Sequence, residues 1–165
     1  MNLAKVFAIV LGLVLALVLA LFSAAQGQDA FVGSWVLDTA RSQAAVPEFM
    51  PAALTLEVTA VGGGKYRSVS EGTVGGISGR NEITFSIDGK DYPVAATPAQ
   101  PGAPQLTQSM ERVSDSVYKT SAKLGGEVIA TALNEISGDG STLTLTTTGV
   151  GQFVALSSTM VFRRK

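Results

Sequence analysis

The sequence of 165 residues contains neither histidine nor cysteine. The lack of histidine excludes Ser-His-Asp triads, imidazole acid–base chemistry and the commonest metal ligand. The lack of cysteine excludes thiol nucleophiles, disulfides, zinc–thiolate sites and a lipid-modified cysteine anchor. An enzyme would have to use carboxylate, lysine or tyrosine groups, and no spacing in the chain brings such groups together. The sequence therefore predicts a non-catalytic protein with no cofactor and no metal.

Runs of basic residues are also missing. Charged residues make up 15% of the sequence, the formal net charge is −1, and the isoelectric point is about 5.4. Nucleic acids and anionic membrane surfaces attract clusters of lysine and arginine, which this chain does not provide. We therefore expect no nucleic-acid partner, and the composition leaves the oligomeric state open.

The first 25 residues differ in composition from the rest of the chain. Lys5 precedes an unbroken apolar run over 6–22, and Ser23-Ala24-Ala25 then supplies the small side chains typical of signal-peptide cleavage. We predict a signal peptide over 1–25 and a domain over 26–165. The alternative is an uncleaved anchor, because a helix over the apolar run would reach about 26 Å of the ~30 Å hydrocarbon core. Cleavage predicts a periplasmic or extracellular protein. An anchor predicts a domain held at the inner membrane, outside the cytoplasm, with the leader as its only membrane contact.

Beyond residue 30, apolar and polar residues alternate, and amphipathic helical patterns are scarce. A period of two is typical of strands in a sheet with one wet face. The pairs Asp88-Gly89 and Asp139-Gly140 are typical of two-residue hairpins. The pattern predicts an all-β antiparallel barrel or sandwich, with a helical turn only over 41–51 and a bend over 72–79. The predicted strands cover residues 54–58, 65–71, 83–87, 106–113, 117–124, 127–136, 143–146 and 153–162.

Both ends of the predicted domain carry a recognisable pattern. The run Phe-Val-Gly-Ser-Trp that contains Gly33 and Trp35 resembles the first strand of the calycins, which include lipocalins and fatty-acid-binding proteins. The last residues, from Ser158 onwards, resemble the closing strand of that superfamily. The resemblance implies a lipocalin-like antiparallel β-barrel of about eight to ten strands, closed by pairing of its two ends. It also implies that Trp35 closes one end of the barrel beneath Arg163 or Arg164, although both arginines could instead lie in solvent.

The closing strand also bears on the ligand. Fatty-acid-binding proteins end in a segment whose inward Arg and Tyr hold a carboxylate. Aligned on Thr159, this chain has Met160 and Phe162 in those two places. The alternation of 153–162 points the even positions, including Val154, inward. The resemblance therefore implies the barrel without the carboxylate clamp, and Met160 and Phe162 become candidate apolar ligand contacts.

Further candidate contacts come from the middle strands. In 106–112 the even positions would point Gln108, Met110 and Arg112 inward, and Tyr118 follows on the next strand. A buried guanidinium would be a candidate anion site. The alternative is that Arg112 lies at the strand end and reaches water. Small residues at the even positions of 128–136 either leave room inside or allow neighbouring strands to pack closely.

The chain resembles a second, broader group, which consists of exported bacterial proteins with no assigned reaction. The shared segments are an early Gly-x-Trp-x-Leu strand and the runs over 88–94 and 139–144. This resemblance implies the same fold and export. We expect non-catalytic binding or carriage of a small hydrophobic or amphipathic molecule in the barrel interior, outside the cytoplasm. The alternative is an envelope protein-interaction or structural module whose barrel is filled and holds no ligand.

Overall fold

The computed structural model describes residues 30–99 and 101–165. The predicted leader lies outside these residues, so its cleavage and the resulting location stay predictions. Across the described ranges, no helix is both long enough and apolar enough to cross a bilayer.

Within the described residues, twelve antiparallel strands form one sheet. The predicted all-β barrel is confirmed, since nine of the strands have five residues or more and the other three are short. Three 3₁₀ turns occur in the described residues, over Thr39–Arg41, Pro47–Phe49 and Gly151–Leu156. The strands are β1 Gly33–Leu37, β2 Gln43–Ala44, β3 Ala53–Gly62, β4 Lys65–Val74, β5 Ile77–Phe85, β6 Tyr92–Pro93, β7 Ala95–Thr97, β8 Leu106–Arg112, β9 Val117–Leu124, β10 Glu127–Ile136, β11 Thr142–Gly149 and β12 Ser158–Arg164.

The first and last long strands lie side by side, as the sequence predicts. β1 pairs with β12 on one side and with β3 on the other. Trp35 stands opposite Arg164, and Leu37 stands opposite Phe162. The order of the whole sheet is β6-β8-β9-β10-β11-β12-β1-β3-β4-β5-β7, with β2 added to β12. The first and last strands of the described domain therefore meet within one continuous sheet.

A short segment over 92–97 nearly completes the ring. β6 pairs with β8, whereas β7 pairs with β5 at the opposite end of the strand order. Only Val94 separates β6 from β7, and it is buried. We call this segment the seam. The barrel is thus nearly closed, with its thinnest wall at the seam.

Alternation within the strands places one face of the sheet in the core. On β3 the buried residues are Leu54, Leu56 and Val58, and the intervening Thr55 and Glu57 are not buried. β9 and β11 repeat this pattern. A period of two therefore separates the interior from the solvent face around the barrel.

The predicted strand over 153–162 is wrong in its first half. Residues Gly151–Leu156 form a 3₁₀ turn, and β12 begins at Ser158. The chain reverses at Gly151, which has a φ of 58°, and Ser157 closes the turn on Val154 O at 3.1 Å. Val154 is 64% exposed, so it does not belong to the inward stripe. Its apolar spacing mimics a strand because a strand and a single 3₁₀ turn cannot be separated by so short a pattern.

The glycine-rich stretch over 72–79 is a hairpin rather than a bend. β4 continues to Val74 and β5 begins at Ile77, so the turn is Gly75-Gly76, with φ values of 57° and 79°. Two adjacent residues with positive φ are typical of a tight hairpin. At Gly72, a Cβ atom would lie 2.6 Å from Ala53 O, so glycine permits the close approach of β3.

The two predicted Asp-Gly turns also differ from the expected two-residue form. Asp88-Gly89 lies in the connection between β5 and β6, which are not hydrogen-bonded neighbours. The amide of Gly89 instead donates to Met110 O at 2.8 Å. Asp139-Gly140 does join a hairpin, but its loop covers 137–141. Loop length depends on strand register, which the Asp-Gly pair does not determine.

Candidate functional site

An aromatic cluster closes one end of the barrel. Trp35 and Phe31 are both fully buried, and the Trp35 indole donates to Phe31 O at 2.9 Å. The ring centroids of Phe31 and Tyr66 lie 4.7 Å apart, and those of Tyr66 and Phe85 lie 5.7 Å apart. Large rings in mutual contact fill this end of the interior, so a ligand would lie elsewhere along the barrel.

Arg164 covers the closed end from outside. Its guanidinium carbon lies 4.3 Å from the centroid of the Trp35 ring. The same group donates to Gly140 O at 2.9 Å, to Val32 O at 3.0 Å and to Ala30 O. Of the two arginines considered from the sequence, Arg164 takes this place. Arg163 instead pairs with Asp38 at 3.1 Å.

Gly33 leaves space for that guanidinium. Its φ is +140°, and a Cβ atom there would lie 2.8 Å from Nη1 of Arg164. A side chain at this position would therefore displace the arginine as well as strain the backbone. The structure thus gives Gly33, Trp35 and Arg164 one structural role at the end of the barrel.

The wall formed by β8 to β11 differs from the closed end because it carries small and polar side chains. Following the ladder, Gln108 stands opposite Ala122, which stands opposite Ala130, which stands opposite Gly149. All four residues are buried. Two residues further along the strands, the neighbouring row on the same face contains Met110, Thr120, Ala132 and Thr147. On its other side Gln108 stands opposite Tyr92 of β6, which packs against the core. At Gly149 a Cβ atom would collide with Phe153 O, so the 3₁₀ turn fills that place.

Several buried polar atoms on this wall and opposite it have no hydrogen-bond partner among the described residues. They are both amide atoms of Gln108, Oδ1 of Asn134 and Oγ of Ser68. Gln108 is 2% exposed, Asn134 is fully buried and Ser68 is 1% exposed. A buried donor or acceptor without a partner costs about 1–3 kcal/mol. A folded protein tolerates such a cost where the atom serves a bound molecule or ordered water.

The orientation of the Asn134 amide follows from its neighbours. Its Nδ2 donates to Thr120 Oγ1 at 3.0 Å and to Tyr118 O at 3.4 Å. The reversed amide would set its oxygen against the Tyr118 carbonyl, which is repulsive. The oxygen is therefore the atom that remains as an acceptor.

The other candidate contacts predicted from sequence line the interior as apolar groups. Met110 is 2% exposed, Met160 is 1% exposed, and Tyr118 and Phe162 are fully buried. Met160 stands opposite Leu145 on the ladder, and Tyr118 stands opposite Asn134. Gln108, Met110, Tyr118 and Met160 therefore share the β8–β12 wall, whereas Phe162 lies towards the closed end beside Leu37.

For Arg112, the structure matches the alternative in which the residue lies at the strand end and reaches water. It is the last residue of β8 and is exposed. Its guanidinium carbon lies 5.0 Å from the centroid of the Tyr118 ring. The alternation of β8 does place Arg112 on the inward face, but the strand ends there and the long side chain reaches water.

The buried side chains of residues 30–99 and 101–165 include no Asp, Glu, Lys or Arg. Within the same part of the chain, no group of three or more acidic side chains is arranged to hold a metal ion. The interior therefore offers hydrogen bonds and apolar contact to a ligand, without a counter-charge.

Charged residues gather instead in a cleft on the outer face of β3, β4 and β5. The cleft has a volume of about 210 Å³. Arg67 contacts Glu82 at 2.6 Å, and Arg80 contacts Glu82 at 2.8 Å and Glu71 at 3.1 Å. The hydrogen bond from Arg67 lowers the pKa of Glu82 below its ordinary value. Because the two arginines and the two glutamates pair with one another, we interpret this group as a surface ion-pair network.

No sequence motif marks Asn134, Ser68 or Thr120 as functional residues. All three lie on inward positions of strands, so the alternation of inward and outward residues could have identified them. Their significance depends on which atoms remain without a partner, and that depends on the side chains of neighbouring strands. A single strand does not contain this information.

Solved structures share this fold. Fatty-acid-binding protein 1 of Echinococcus granulosus matches with a TM-score of 0.56 at 19% identity, over 82% of this chain and 97% of that protein. A fatty-acid-binding protein of Schistosoma mansoni, in complex with arachidonic acid, matches with a TM-score of 0.56 at 16% identity, over 82% and 96%. Secretory abundant heat soluble protein 4 of Ramazzottius varieornatus matches with a TM-score of 0.58 at 13% identity, over 87% and 99%.

These similarities show that the described chain has the β-barrel fold that is also found in fatty-acid-binding proteins. At identities below 20%, they show the fold alone. No family model matches the chain, and no curated protein matches it.

Proposed function

We propose that the barrel binds a small apolar or amphipathic molecule in its interior and carries it without chemical change. The amide of Gln108 is the observation on which this rests. It is 2% exposed, and neither of its polar atoms has a partner in the described protein. In the same row, β9 and β10 carry the short side chains of Ala122 and Ala130. A bound molecule with a polar end would satisfy the amide and cover the apolar side chains around it.

The structural neighbours support the same function class. Two of them are named as fatty-acid-binding proteins, and one of these is in complex with arachidonic acid. A closed sheet of this size can hold one small ligand. The matches cover 82% of this chain, which includes most of the barrel. The comparison therefore concerns the barrel as a whole and not one strand or loop.

The carrier role and the location outside the cytoplasm rest on the sequence. The chain has no histidine and no cysteine. The buried side chains of the described ranges include no carboxylate and no lysine that would serve as an acid or base. The apolar run over 6–22 followed by small residues supports export.

Native mass spectrometry of the full chain, purified from the cell that exports it, tests these points together. We expect a complex heavier than the polypeptide by the mass of one small molecule, which is lost on collisional activation. The mass of the polypeptide itself reports whether the leader over 1–25 has been removed. Titration with Nile red, a neutral apolar dye, should give saturable fluorescence with a stoichiometry of one. A barrel that carries no small molecule and excludes the dye would contradict the proposal.

The second candidate, an envelope interaction module, has an observation of its own. Val128, Val150 and Val154 are 42%, 43% and 64% exposed. They belong to neighbouring segments, because the amide of Val150 donates to Ile129 O at 2.9 Å and Val154 lies in the following 3₁₀ turn. Exposed apolar groups of this kind suit a contact with another protein. Exclusion of Nile red together with capture of a defined envelope protein would favour this function over the carrier.

A further inference from the structure

We propose that Gln108 is the head-group contact of the barrel, and that the barrel selects neutral amphipathic molecules, such as long-chain alcohols and primary amides, over free carboxylates. The inference rests on the proposed function, because it names the ligand class of the same interior. It starts from the amide itself. Gln108 supplies one donor group and one acceptor, and both lack a partner in the described residues. A hydroxyl or a primary amide both donates and accepts, so either can satisfy both atoms.

The position of Gln108 on the ladder allows such a contact. Its β9 and β10 neighbours are Ala122 and Ala130, both fully buried. They identify the inward face of β8, because Lys119 on the alternate face of β9 is exposed. The amide is therefore directed to the interior, with Ala122 on one side and Tyr92 of β6 on the other.

The charge distribution decides between neutral and anionic head groups. None of the buried residues that the structure describes is an Arg or a Lys. The guanidinium of Arg112 is exposed and lies against the Tyr118 ring, and that of Arg164 lies outside the Trp35 ring. A carboxylate that enters the interior would lose its hydration without gaining a counter-ion, which strongly disfavours it. A neutral head group loses far less hydration free energy, and its hydrogen bonds to the Gln108 amide offset that loss.

Two interior positions reinforce this selection. Met160 and Phe162 are 1% and 0% exposed. They line the β12 side of the interior and contribute neither a donor nor a charge. Oδ1 of Asn134 on the same wall and the hydroxyl of Ser68 on β4 add neutral polar atoms only. The interior is thus polar in places and uncharged throughout its described part.

The first arm of the test uses the unmodified protein. Nile red bound to the barrel is displaced by dodecanol, dodecanamide and dodecanoate, which share one chain length. At about pH 8 we expect dodecanol and dodecanamide to compete at concentrations at least about tenfold lower than dodecanoate. As the pH falls to about 5.5, the apparent affinity of the acid should rise with its protonated fraction, while that of the alcohol stays constant. The chain has no histidine to titrate in this interval.

The second arm uses Gln108→Met, which replaces the amide by an apolar group of similar size. Because it removes two buried polar atoms without a partner, we expect an unchanged or higher urea midpoint. Dodecanol and dodecanamide should bind about five- to tenfold more weakly, and Nile red should bind as before. Gln105→Met is the matched control, because Gln105 is exposed and its Nε2 donates to Leu106 O at 2.9 Å. It should change none of the affinities.

The outcomes separate this inference from the proposed function. Failure of Nile red to bind would contradict both. Binding of dodecanoate at about pH 8 with the affinity of dodecanol would overturn the neutral selection and leave the carrier role standing. A lower urea midpoint for Gln108→Met would show that the amide supports the fold rather than the ligand. If that variant does not fold, the pH dependence of the unmodified protein decides alone.

Discussion

At the closed end of the barrel, one exposed arginine joins three parts of the chain. Arg164 lies over the Trp35 ring, donates to the β10–β11 loop at Gly140 O, and donates to Val32 O before β1. The absence of a side chain at Gly33 makes room for it. Arg163 lies next to it in sequence but makes one ion pair, with Asp38. Adjacent arginines of the same strand therefore have different energetic roles.

We expect Arg164→Leu to lower the free energy of unfolding by about 1–2 kcal/mol, because it removes a cation–π contact and several hydrogen bonds. Arg163→Leu, the matched control, should cost less than about 1 kcal/mol, as is usual for an exposed ion pair. Urea unfolding monitored by Trp35 fluorescence measures both values. Equal losses for the two variants would contradict the role given to Arg164.

The same site allows a test of the glycine. Gly33→Ala should destabilise the unmodified protein, since its Cβ would lie 2.8 Å from Nη1 of Arg164. In the Arg164→Leu background the same change should cost less, because the steric part is gone and only backbone strain remains. Strict additivity of the two changes would show that they do not interact.

At the scale of elements, the β10–β11 connection is organised by one carboxylate. Asp139 accepts hydrogen bonds from the Ser141 amide at 3.0 Å and from the Ser137 and Ser141 hydroxyls. The hydroxyl of Ser137 has the largest effect on its pKa, which falls from 3.8 to about 2. The loop thus binds the ionised form of Asp139 more strongly than the protonated form.

This pKa has a defined consequence for stability. Because the folded value is lower than the unfolded value, Asp139 contributes stability above about pH 3.8 and loses it as the pH falls towards 2. Asp139→Asn should be less stable than the unmodified protein near neutral pH, and the difference should shrink across that interval. Ser137→Ala, which removes the main donor, should show the same trend. Urea unfolding at a series of pH values measures both, and a difference that stays constant down to pH 2 would contradict this account.

At the scale of the whole molecule, the barrel is unevenly closed. β7 has three residues, all exposed, and β6 has two, one of which is a proline without an amide hydrogen. β10 has ten residues and pairs with strands on both sides. Local opening occurs where few buried contacts and few ladder hydrogen bonds must break. The seam is therefore the part of the wall that opens most easily.

Native-state hydrogen exchange tests this expectation. Amides of 95–97 should exchange with an opening free energy far below the free energy of global unfolding. Amides of β10 should exchange with an opening free energy close to that global value. β1 is the matched control, because it has only five residues but is paired with β12 and β3. Its amides should be protected like those of β10. Equal protection of the seam and β10 would contradict the expectation that the seam opens more easily than the rest of the wall.

Much of the fold was predictable because the relevant patterns are local. Alternation placed Gln108, Met110 and Met160 on inward positions, and the Gly33 and Trp35 pattern indicated the strand that closes the barrel. Alternation fails where a strand ends. It read Val154 as part of a strand, although Val154 lies in a 3₁₀ turn. For Arg112 it left two alternatives open, and the structure has the one in which the side chain reaches water.

By its own pattern, the sequence determined the class of the fold, the face of each long strand that is buried and the lack of histidine and cysteine chemistry. Side-chain period and composition are properties of the chain itself, so neither requires a partner strand. Only the tertiary structure decided that Arg164 covers Trp35, that the wall is thin over 92–97, and that the Gln108 amide has no partner in the described protein. Each of these depends on residues far apart in sequence, because a hydrogen bond or a ring contact exists only once the strands have been brought into register.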